Sequence, residues 1–447
     1  MKKLFIETLG CQMNKSDTER IAGILSHFGY EETFDEKTAD LLLINTCSIR
    51  QLSVDKAYSR LGFWGKLKKT RPDIKIGICG CTAKQDKENI FKRAPYADLI
   101  FGPNNIYALP ELIKRIENGE KVCAVSENIS ESRKNWNDFK ISRRASVNAW
   151  LPIITGCNNF CTYCIVPFTR GREHSRTPEE ILTEAEKIIN EGYKEITLLG
   201  QNVDSYGKDL NDENITLANL LRSLNKLKGN FRMRFVTSYP SDITEDLLNA
   251  VSECEKACRY FHIPMQSGNS RILKEMNRRY TKEQYYEIVS KIRARFPNAA
   301  VTSDFIAGFP SETEEEFEDT LKAMEELELD YSNTAAYSPR EYTKAAKMTD
   351  KFIDEETKSR RLARLNEKNR EVCLKSNQKY IGRVLNVLIE SKTEKDGRVI
   401  LNSRADNNKI VHFEDASKDI GDFALVKITQ AKTWCLYAEP VSEGISI

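Results

Sequence analysis

Short apolar runs alternate with amphipathic stretches at the start of the chain. The sequence predicts strands over residues 4–9, 41–45, 74–78 and 99–101, and helices over 16–29, after Ser48 and over 109–116. The short runs are typical of buried strands, and the spacing between them is typical of helices that face a core. Because strands that alternate with helices form parallel sheets covered on both faces, we predict a parallel-sheet α/β domain over residues 1–125.

Residues 126–146 differ in composition from the domain that precedes them. Their sequence, SENISESRKNWNDFKISRRAS, is polar and highly charged and has few apolar residues to bury. This composition predicts a linker.

A second alternating pattern begins at Val147. It predicts six strands, near 148–155, 195–200, 231–237, 259–265, 300–307 and 331–337. The helical patterns between them often open with a capping residue, as at Thr177 and in the Ser311–Glu314 segment. Six strand–helix units indicate a partial TIM-like (β/α)6 barrel over residues 147–375, with its chemistry at the carboxyl ends of the strands.

The pattern changes again after a charged helix predicted over 354–378. Four strand-like runs follow, at 380–389, 398–401, 409–413 and 423–437, joined by polar turns. They predict a small antiparallel β-barrel over 376–440, a kind of domain that often carries RNA. The ten Lys and Arg residues there are nearly balanced by nine Asp and Glu residues, so composition does not establish RNA binding.

Overall charge points to no particular class of partner. The 447 residues include 68 Lys and Arg and 66 Asp and Glu, for a net charge of +2, so any nucleic-acid contact must be local. No apolar run approaches the length of a membrane helix, and Cys11 interrupts the start before a signal peptide could form. We therefore expect a cytoplasmic protein with no membrane partner.

Cysteine content points to metal or redox chemistry. The chain has twelve cysteines, and the reducing compartment in which we expect the protein does not favour a disulfide framework. Only four histidines are present, so mixed Cys/His zinc sites are hard to assemble more than once. Ligation rich in thiolates favours iron–sulfur clusters.

The most specific motif is GCNNFCTYC, which places Cys157, Cys161 and Cys164 directly after the first predicted barrel strand. Three thiolates can hold three irons of a 4Fe–4S cube and leave the fourth iron open to substrate or cofactor. The alternatives are a zinc site with three cysteines and another ligand, or a redox CxxC pair.

A basic loop follows this motif and contains Arg170, Arg172 and Arg176. Guanidinium groups in this pattern suit an anionic partner. Salt bridges to neighbouring carboxylates explain the same spacing equally well.

The CxxxCxxC motif of Cys157, Cys161 and Cys164 resembles that of the radical S-adenosylmethionine (SAM) superfamily. The wider sequence resembles its methylthiotransferase branch over nearly the entire chain. Cys11 in LGCQMN, Cys47 in NTCSIR and Cys81 in GCTA match the three cysteines of that branch's N-terminal domain. The resemblance thus implies two clusters, one on each set of three cysteines.

The strand pattern supports the second set independently. Cys11, Cys47 and Cys81 each follow a predicted parallel strand, and the carboxyl ends of such strands meet at one crevice. The three thiols can therefore converge although they are far apart in sequence. Cys79, two residues before Cys81, is interpreted as a strand residue.

The resemblance also implies a SAM site across the mouth of the barrel. Its candidate residues are Tyr163, beside the adenine, with Gly200, Gln201, Ser238 and Gln266. For each of these, strand-end packing or a turn is the alternative explanation.

The sequence departs from the family pattern in two places. Tyr239 stands where relatives often have His, and Glu341–Tyr342 stands where Pro-Gly is usual. The second change removes both a fixed φ and a permissive one.

The motif wording is most similar to the tRNA-acting branch of the family. This implies methylthiolation at C2 of N6-dimethylallyladenosine (isopentenyladenosine), at position 37 of the anticodon loop. The cluster on Cys157 would cleave SAM to a 5′-deoxyadenosyl radical, and the auxiliary cluster on Cys11 would supply sulfur that a second SAM methylates. No conventional catalytic side chain is implied, and the C-terminal barrel would be an RNA-binding TRAM domain.

The implied partners are a tRNA that carries N6-dimethylallyladenosine, a small flavodoxin- or ferredoxin-like electron donor and a sulfur-supply system. With tRNA as the implied substrate, we predict that Arg170, Arg172 and Arg176 contact its phosphates. Methylthiolation of threonylcarbamoyl-adenosine in tRNA, or of a ribosomal-protein aspartate, remains an alternative with the same chemistry. A non-catalytic iron–sulfur RNA-binding or sensor protein is the alternative of another class.

Overall fold

The computed structural model describes residues 1–125, 139–395 and 397–441. Its N-terminal part is a six-stranded parallel sheet in which the second strand along the chain lies at one edge, beside the first. The strands are Lys2–Leu9, Tyr30–Glu32, Leu41–Thr46, Lys75–Gly80, Leu99–Phe101 and Val122–Ala124. The α-helices are Gln12–His27, Gln51–Thr70, Cys81–Asp86, Asn89–Arg93 and Leu109–Glu117. Separate apolar cores lie on the two faces of the sheet, which confirms the predicted α/β class.

The first helix begins at Gln12, four residues before its predicted start. The Asn14 amide oxygen accepts hydrogen bonds from the Cys11 backbone N–H at 3.3 Å and from the Cys11 thiol at 3.2 Å. A side chain that satisfies donors at a helix start extends the helix beyond its apolar pattern. Cys11 is therefore fixed between the first strand and the first helix.

The central part is a partial barrel of six parallel strands. They are Asn148–Pro152, Glu195–Leu199, Arg232–Phe235, Tyr260–His262, Ala300–Ala307 and Tyr331–Ala336. The first three and the last three form separate parallel sheets. Main-chain bonds join them, from Cys258 N to Met233 O at 2.8 Å and from Ser238 N to His262 O at 2.9 Å. This arrangement confirms the predicted strand–helix barrel.

The strands of the barrel are covered by helices. These are Val166–Thr169, Pro178–Asn190, Leu217–Asn225, Glu245–Glu253, Ser270–Glu275, Lys282–Arg295, Glu314–Glu326 and Glu355–Gln378. The predicted first strand stops at Pro152, and Ile154–Thr155 instead pairs antiparallel with His174–Ser175. Among the described residues, no helix has both the length and the apolar content needed to cross a membrane.

The C-terminal part is a closed barrel, as predicted, and its strand pairs are antiparallel except for the parallel pair of Ile410–Phe413 with Leu436–Pro440. Its strands are Val384–Lys395, Arg398–Ala405, Ile410–Phe413, Phe423–Ala431 and Leu436–Pro440. The first begins four residues later than predicted because the chain turns at Gly382, where φ is +84°. The predicted run 423–437 is two strands, since residues 432–435 turn the chain back on itself.

Residues 126–138 of the predicted linker lie outside the described residues. The remainder, residues 139–146, packs between the first two domains. The Arg144 N–H donates to Glu19 Oε1 at 3.1 Å, and Arg143 Nη2 donates to Glu184 Oε1 at 3.2 Å. The described end of the linker is thus part of the interface between the N-terminal domain and the barrel.

Glu184 is the centre of this interface. Its carboxylate, 3% exposed, accepts from Arg20 of the N-terminal domain at 3.0 Å, from Arg143, and from Arg176 of the barrel at 2.8 Å. Burial opposes ionisation, yet the three guanidinium groups outweigh it and lower the pKa of Glu184 to about 2. One carboxylate therefore joins three segments of the chain.

We expect Glu184→Gln to destabilise the protein by about 3–5 kcal/mol at pH 7, because it leaves buried guanidinium groups uncompensated. The folded pKa lies below that of the unfolded chain, so this contribution is complete above pH ~4.5 and is lost as pH falls towards 2. Urea unfolding followed by circular dichroism should show a difference from wild type that shrinks in this acid window. Glu186→Gln, at an exposed position of the same helix, is the matched control; equal midpoints for the two variants would contradict the assignment.

Candidate active site

One cavity of about 460 Å³ lies between the N-terminal domain and the mouth of the barrel. Five of the six predicted ligand thiols line it: Cys11 and Cys47 on one side, and Cys157, Cys161 and Cys164 on the other. Cys81 is buried beside Cys47. The structure therefore places both predicted cysteine sets at one site, although they lie in different domains.

Residues 156–164, which carry Cys157, Cys161 and Cys164 and which we call the cluster loop, depend on a glycine for their conformation. Gly156 has φ of +81°, and a Cβ atom there would lie 2.0 Å from the Arg172 carbonyl oxygen. Gln201 accepts from the Gly156 N–H at 2.6 Å, and the Cys157 N–H donates to the Gly171 carbonyl at 3.1 Å. The backbone is thereby fixed immediately before the first of the three thiols.

The turn before Cys81 has a similar constraint. Gly80 has φ of +89°, and a Cβ there would lie 2.4 Å from Asn45 Oδ1. Asn45 is itself held by the Asn14 amide and carbonyl groups at 3.0 and 2.8 Å. Buried amides therefore connect the strand ends that carry the N-terminal thiols.

The N-terminal thiols interact with each other and with a cation. The Cys47 thiol and the Arg170 guanidinium lie close to Cys11 and Cys81. The Cys47 thiol and, after it, the nearby cation lower the pKa of Cys11 to about 7 and that of Cys81 to about 6, although burial opposes both shifts. The pKa of Cys47 is itself raised well above its usual value by these two neighbours and by burial. Cys11 and Cys81 are therefore readily available as thiolates, the form that binds iron.

The barrel thiols are in a different electrostatic environment. Burial raises the pKa of Cys157 to about 11 and that of Cys164 to about 12. Asn159 Nδ2 donates to Cys157 Sγ at 3.6 Å, and Arg278 Nη1 donates to Cys161 Sγ at 3.5 Å. Donors to sulfur are the contacts by which proteins tune bound clusters.

Each predicted cysteine set has three thiols, the type of donor that iron–sulfur clusters use. Within the described residues, no three Cys, His, Asp or Glu side chains are gathered closely enough to hold one metal ion. In a cluster each thiolate binds a different iron, so its ligands lie farther apart than those of zinc. Each set supplies three thiols of the four a cube can bind.

The five residues predicted to contact SAM all line the cavity. Gln201 is already bonded to the cluster loop, and the Ser238 hydroxyl donates to Asp204 at 3.0 Å. Gln266 has φ of +77°, and its N–H donates to the Asp304 carbonyl at 2.8 Å. Their positions agree with a ligand site, while their contacts with SAM stay predictions.

The three arginines predicted to contact tRNA separate into two groups. Arg170 and Arg176 are each 4% exposed, because Arg170 pairs with Asp17 at 2.7 Å and Arg176 with Glu184. The prediction of phosphate contact is corrected for these two residues, whose guanidinium groups are buried between domains. Arg172 is exposed, and its contact with tRNA stays a prediction.

Arg278 and Asn159 line the cavity but were not predicted from the sequence, and no role was predicted for Tyr239. Arg278 contacts a cluster-loop sulfur from 117 residues away, and no local motif marks it. Tyr239, the departure from the family pattern, packs its ring 4.5 Å from the Arg278 guanidinium and accepts from the Arg279 N–H at 2.8 Å. Asn159 lies inside the cysteine motif, where a donor to sulfur could have been sought.

Comparison with known proteins decides the family. The sequence matches the uncharacterized protein family UPF0004 over residues 3–102, the radical SAM superfamily over 151–324 and the TRAM domain over 378–441. It is 44% identical, over 98% of this chain and 92% of the relative, to the tRNA-2-methylthio-N(6)-dimethylallyladenosine synthase of Thermoanaerobacter pseudethanolicus. The Clostridium beijerinckii protein of the same name is 43% identical over 98% of this chain and 96% of its own length. The chain belongs to this synthase family.

Solved structures support the fold of this family member. The radical SAM methyltransferase TsrM from Kitasatospora setae, with tryptophan and a SAM analogue bound, aligns with a TM-score of 0.58. The alignment covers 77% of this chain and 75% of TsrM at 14% identity, and so supports the fold alone.

Proposed function

We propose that this protein is a radical SAM methylthiotransferase that adds a methylthio group to C2 of N6-dimethylallyladenosine at position 37 of tRNA. The observation that carries the proposal is the presence of two three-thiol sets at one interdomain cavity. The names of relatives that are 43–44% identical over nearly the whole chain support this substrate.

We infer two 4Fe–4S clusters and SAM as cofactors. Cys157, Cys161 and Cys164 would hold the radical SAM cluster, and Cys11, Cys47 and Cys81 the auxiliary cluster. When bound, these groups supply the radical, the sulfur and the methyl group, which acid–base side chains cannot provide at an unactivated C2–H bond. The radical and the methylthio group would therefore both reach the same bound adenosine.

The chain's own residues position and enclose these groups. Gln201 fixes the start of the cluster loop, and Arg278 places a cation beside Cys161. Tyr163 and Met13 line the cavity from the barrel and the N-terminal domain, respectively. Walls from two domains limit water around a reactive centre, which prevents side reactions.

The division of labour follows the predicted domains. Residues 1–125 would carry the auxiliary cluster, 147–375 the SAM chemistry and 376–440 RNA binding. We propose tRNA as substrate in the cytoplasm, Arg172 as a phosphate contact, and a flavodoxin- or ferredoxin-like protein and a sulfur-supply system as further partners.

Mass spectrometry of tRNA nucleosides from cells with and without this gene tests the proposal. We expect the deletion to remove 2-methylthio-N6-dimethylallyladenosine and to accumulate its unthiolated precursor. Loss of the threonylcarbamoyl counterpart would retain the chemistry and overturn the substrate. Persistence of every methylthio nucleoside would direct attention to a protein substrate or to a non-catalytic iron–sulfur protein.

A further inference from the structure

A strained tyrosine lies near the rim of the cavity. Tyr342 has φ of +71°, a region that bulky aromatic residues rarely adopt. Glycine reaches positive φ without steric cost, whereas the Cβ atom of a tyrosine makes this conformation costly. Strain of this kind persists only where the surroundings over-determine it, and it is often associated with function.

The loop around Tyr342 is attached to both sides of the cavity. Arg340 Nη2 donates to the carbonyl oxygen of Ile49, a cavity residue of the N-terminal domain, at 2.7 Å. The Ala345 N–H donates to the carbonyl oxygen of Thr162, within the cluster loop, at 2.8 Å. Tyr342 lies between these two attachments, so its backbone is held in place.

The tyrosine ring pairs with an exposed phenylalanine. The rings of Phe168 and Tyr342 are 6.2 Å apart at an interplanar angle of 29°, and the residues are 44% and 48% exposed. Phe168 belongs to the short helix that follows Cys164, two residues after Val166 of the cavity lining. We call Phe168 and Tyr342 the aromatic pair.

We propose that the aromatic pair is a stacking platform for a nucleobase next to the modified adenosine. The inference rests on the proposed function and deepens it by naming a surface that holds the substrate. A nucleotide that enters an enzyme cavity leaves the stack of its neighbours, whose faces must then be solvated or covered. Aromatic side chains cover such faces without preference for sequence.

The charges around the pair favour stacking over phosphate attraction. Glu341 and Lys344 are exposed on either side of Tyr342, and Asp86 lies close to its ring, so the charges near Tyr342 do not add up to a positive patch. The contribution of the platform to RNA affinity should therefore not depend on salt concentration. A phosphate contact such as Arg172, by contrast, changes the salt dependence of binding.

The test uses the full chain with both clusters and an anticodon stem-loop RNA that carries N6-dimethylallyladenosine, without reductant. We expect Tyr342→Gly to weaken binding by roughly 5- to 30-fold at every salt concentration, with an unchanged salt slope. Tyr342→Phe, which retains the ring, should bind within about twofold of wild type. The thermal midpoint of Tyr342→Gly should not fall, since glycine relieves the strained φ.

A second RNA identifies the contact. In this RNA, the nucleotide whose base would stack on the aromatic pair is replaced by an abasic residue. Wild type should lose as much affinity for the abasic RNA as Tyr342→Gly loses for the intact RNA. The abasic change should then cost Tyr342→Gly nothing further. Additive losses for both flanking positions would overturn the proposal.

Other results separate this inference from the proposed function. If Tyr342→Gly bound RNA like wild type while reduction by flavodoxin slowed, the pair would dock an electron donor and the stacking proposal would be wrong. If wild type bound and methylthiolated the RNA but Tyr342→Gly were unaffected, only this inference would fail. Failure of wild type to methylthiolate an RNA that it binds would count against the proposed function instead.

Discussion

Cys157→Ala is expected to lose both the formation of 5′-deoxyadenosine and the methylthiolation of tRNA. Cys157 is one of three barrel thiols at the cavity, and two ligands hold a cluster poorly. Substitution of residues beyond the ligands already costs up to about 100-fold, so loss of a direct ligand should cost more. Chromatography of SAM products under anaerobic reduction measures the first activity, and nucleoside mass spectrometry measures the second.

The iron content should fall at the same time, from about eight atoms per chain to about four. Cys435→Ala is the control, because this thiol lies in the C-terminal barrel and does not line the cavity. If Cys157→Ala produced 5′-deoxyadenosine at the wild-type level, the assignment of the barrel thiols to the SAM site would be wrong.

Much of the fold could be predicted because the spacing of apolar residues along each domain indicates its strands and helices. The strand Leu99–Phe101 matches the predicted run, and Leu41–Thr46 differs from it by one residue. Boundaries were wrong where a side chain or glycine outside the apolar pattern decides them, as with Asn14 at the first helix and Gly382 before the C-terminal barrel.

The candidate site was predictable where local spacing or strand order carries the information. Cys157, Cys161 and Cys164 belong to one short CxxxCxxC motif, and Cys11 and Cys47 both follow parallel strands. Contacts between domains have no such local sign. Arg170 pairs with Asp17 across 153 residues, so its sequence could not distinguish a buried ion pair from an exposed phosphate contact.

Because the two domains pack against each other, each of them forms one wall of the cavity. The Cys47 thiol is the largest cause that lowers the pKa of Cys11 and Cys81, and the Arg170 guanidinium, which belongs to the barrel, lowers both further. The barrel thus stabilises thiolates in the other domain, while its own Cys157 and Cys164 are buried with raised pKa values. The two sets of thiols lie on opposite sides of the cavity and should be separable by mutation.

Cys11→Ala is expected to separate the two activities. The variant should still form 5′-deoxyadenosine, because Cys157, Cys161 and Cys164 lie on the opposite side of the cavity and are intact. Methylthiolated tRNA should be absent, because the auxiliary set loses one of its three thiols and with it the proposed sulfur source. Both products can be measured in the same anaerobic reaction.

Cys79→Ala is the matched control for this variant. Cys79 is two residues before Cys81 but is buried within the strand Lys75–Gly80 and does not line the cavity, so its loss should leave both activities in place. Normal methylthiolation by Cys11→Ala would show that the N-terminal thiols do not form the sulfur site. Loss of 5′-deoxyadenosine in Cys11→Ala would instead show that the two cysteine sets depend on each other, because SAM cleavage would then require the N-terminal wall of the cavity.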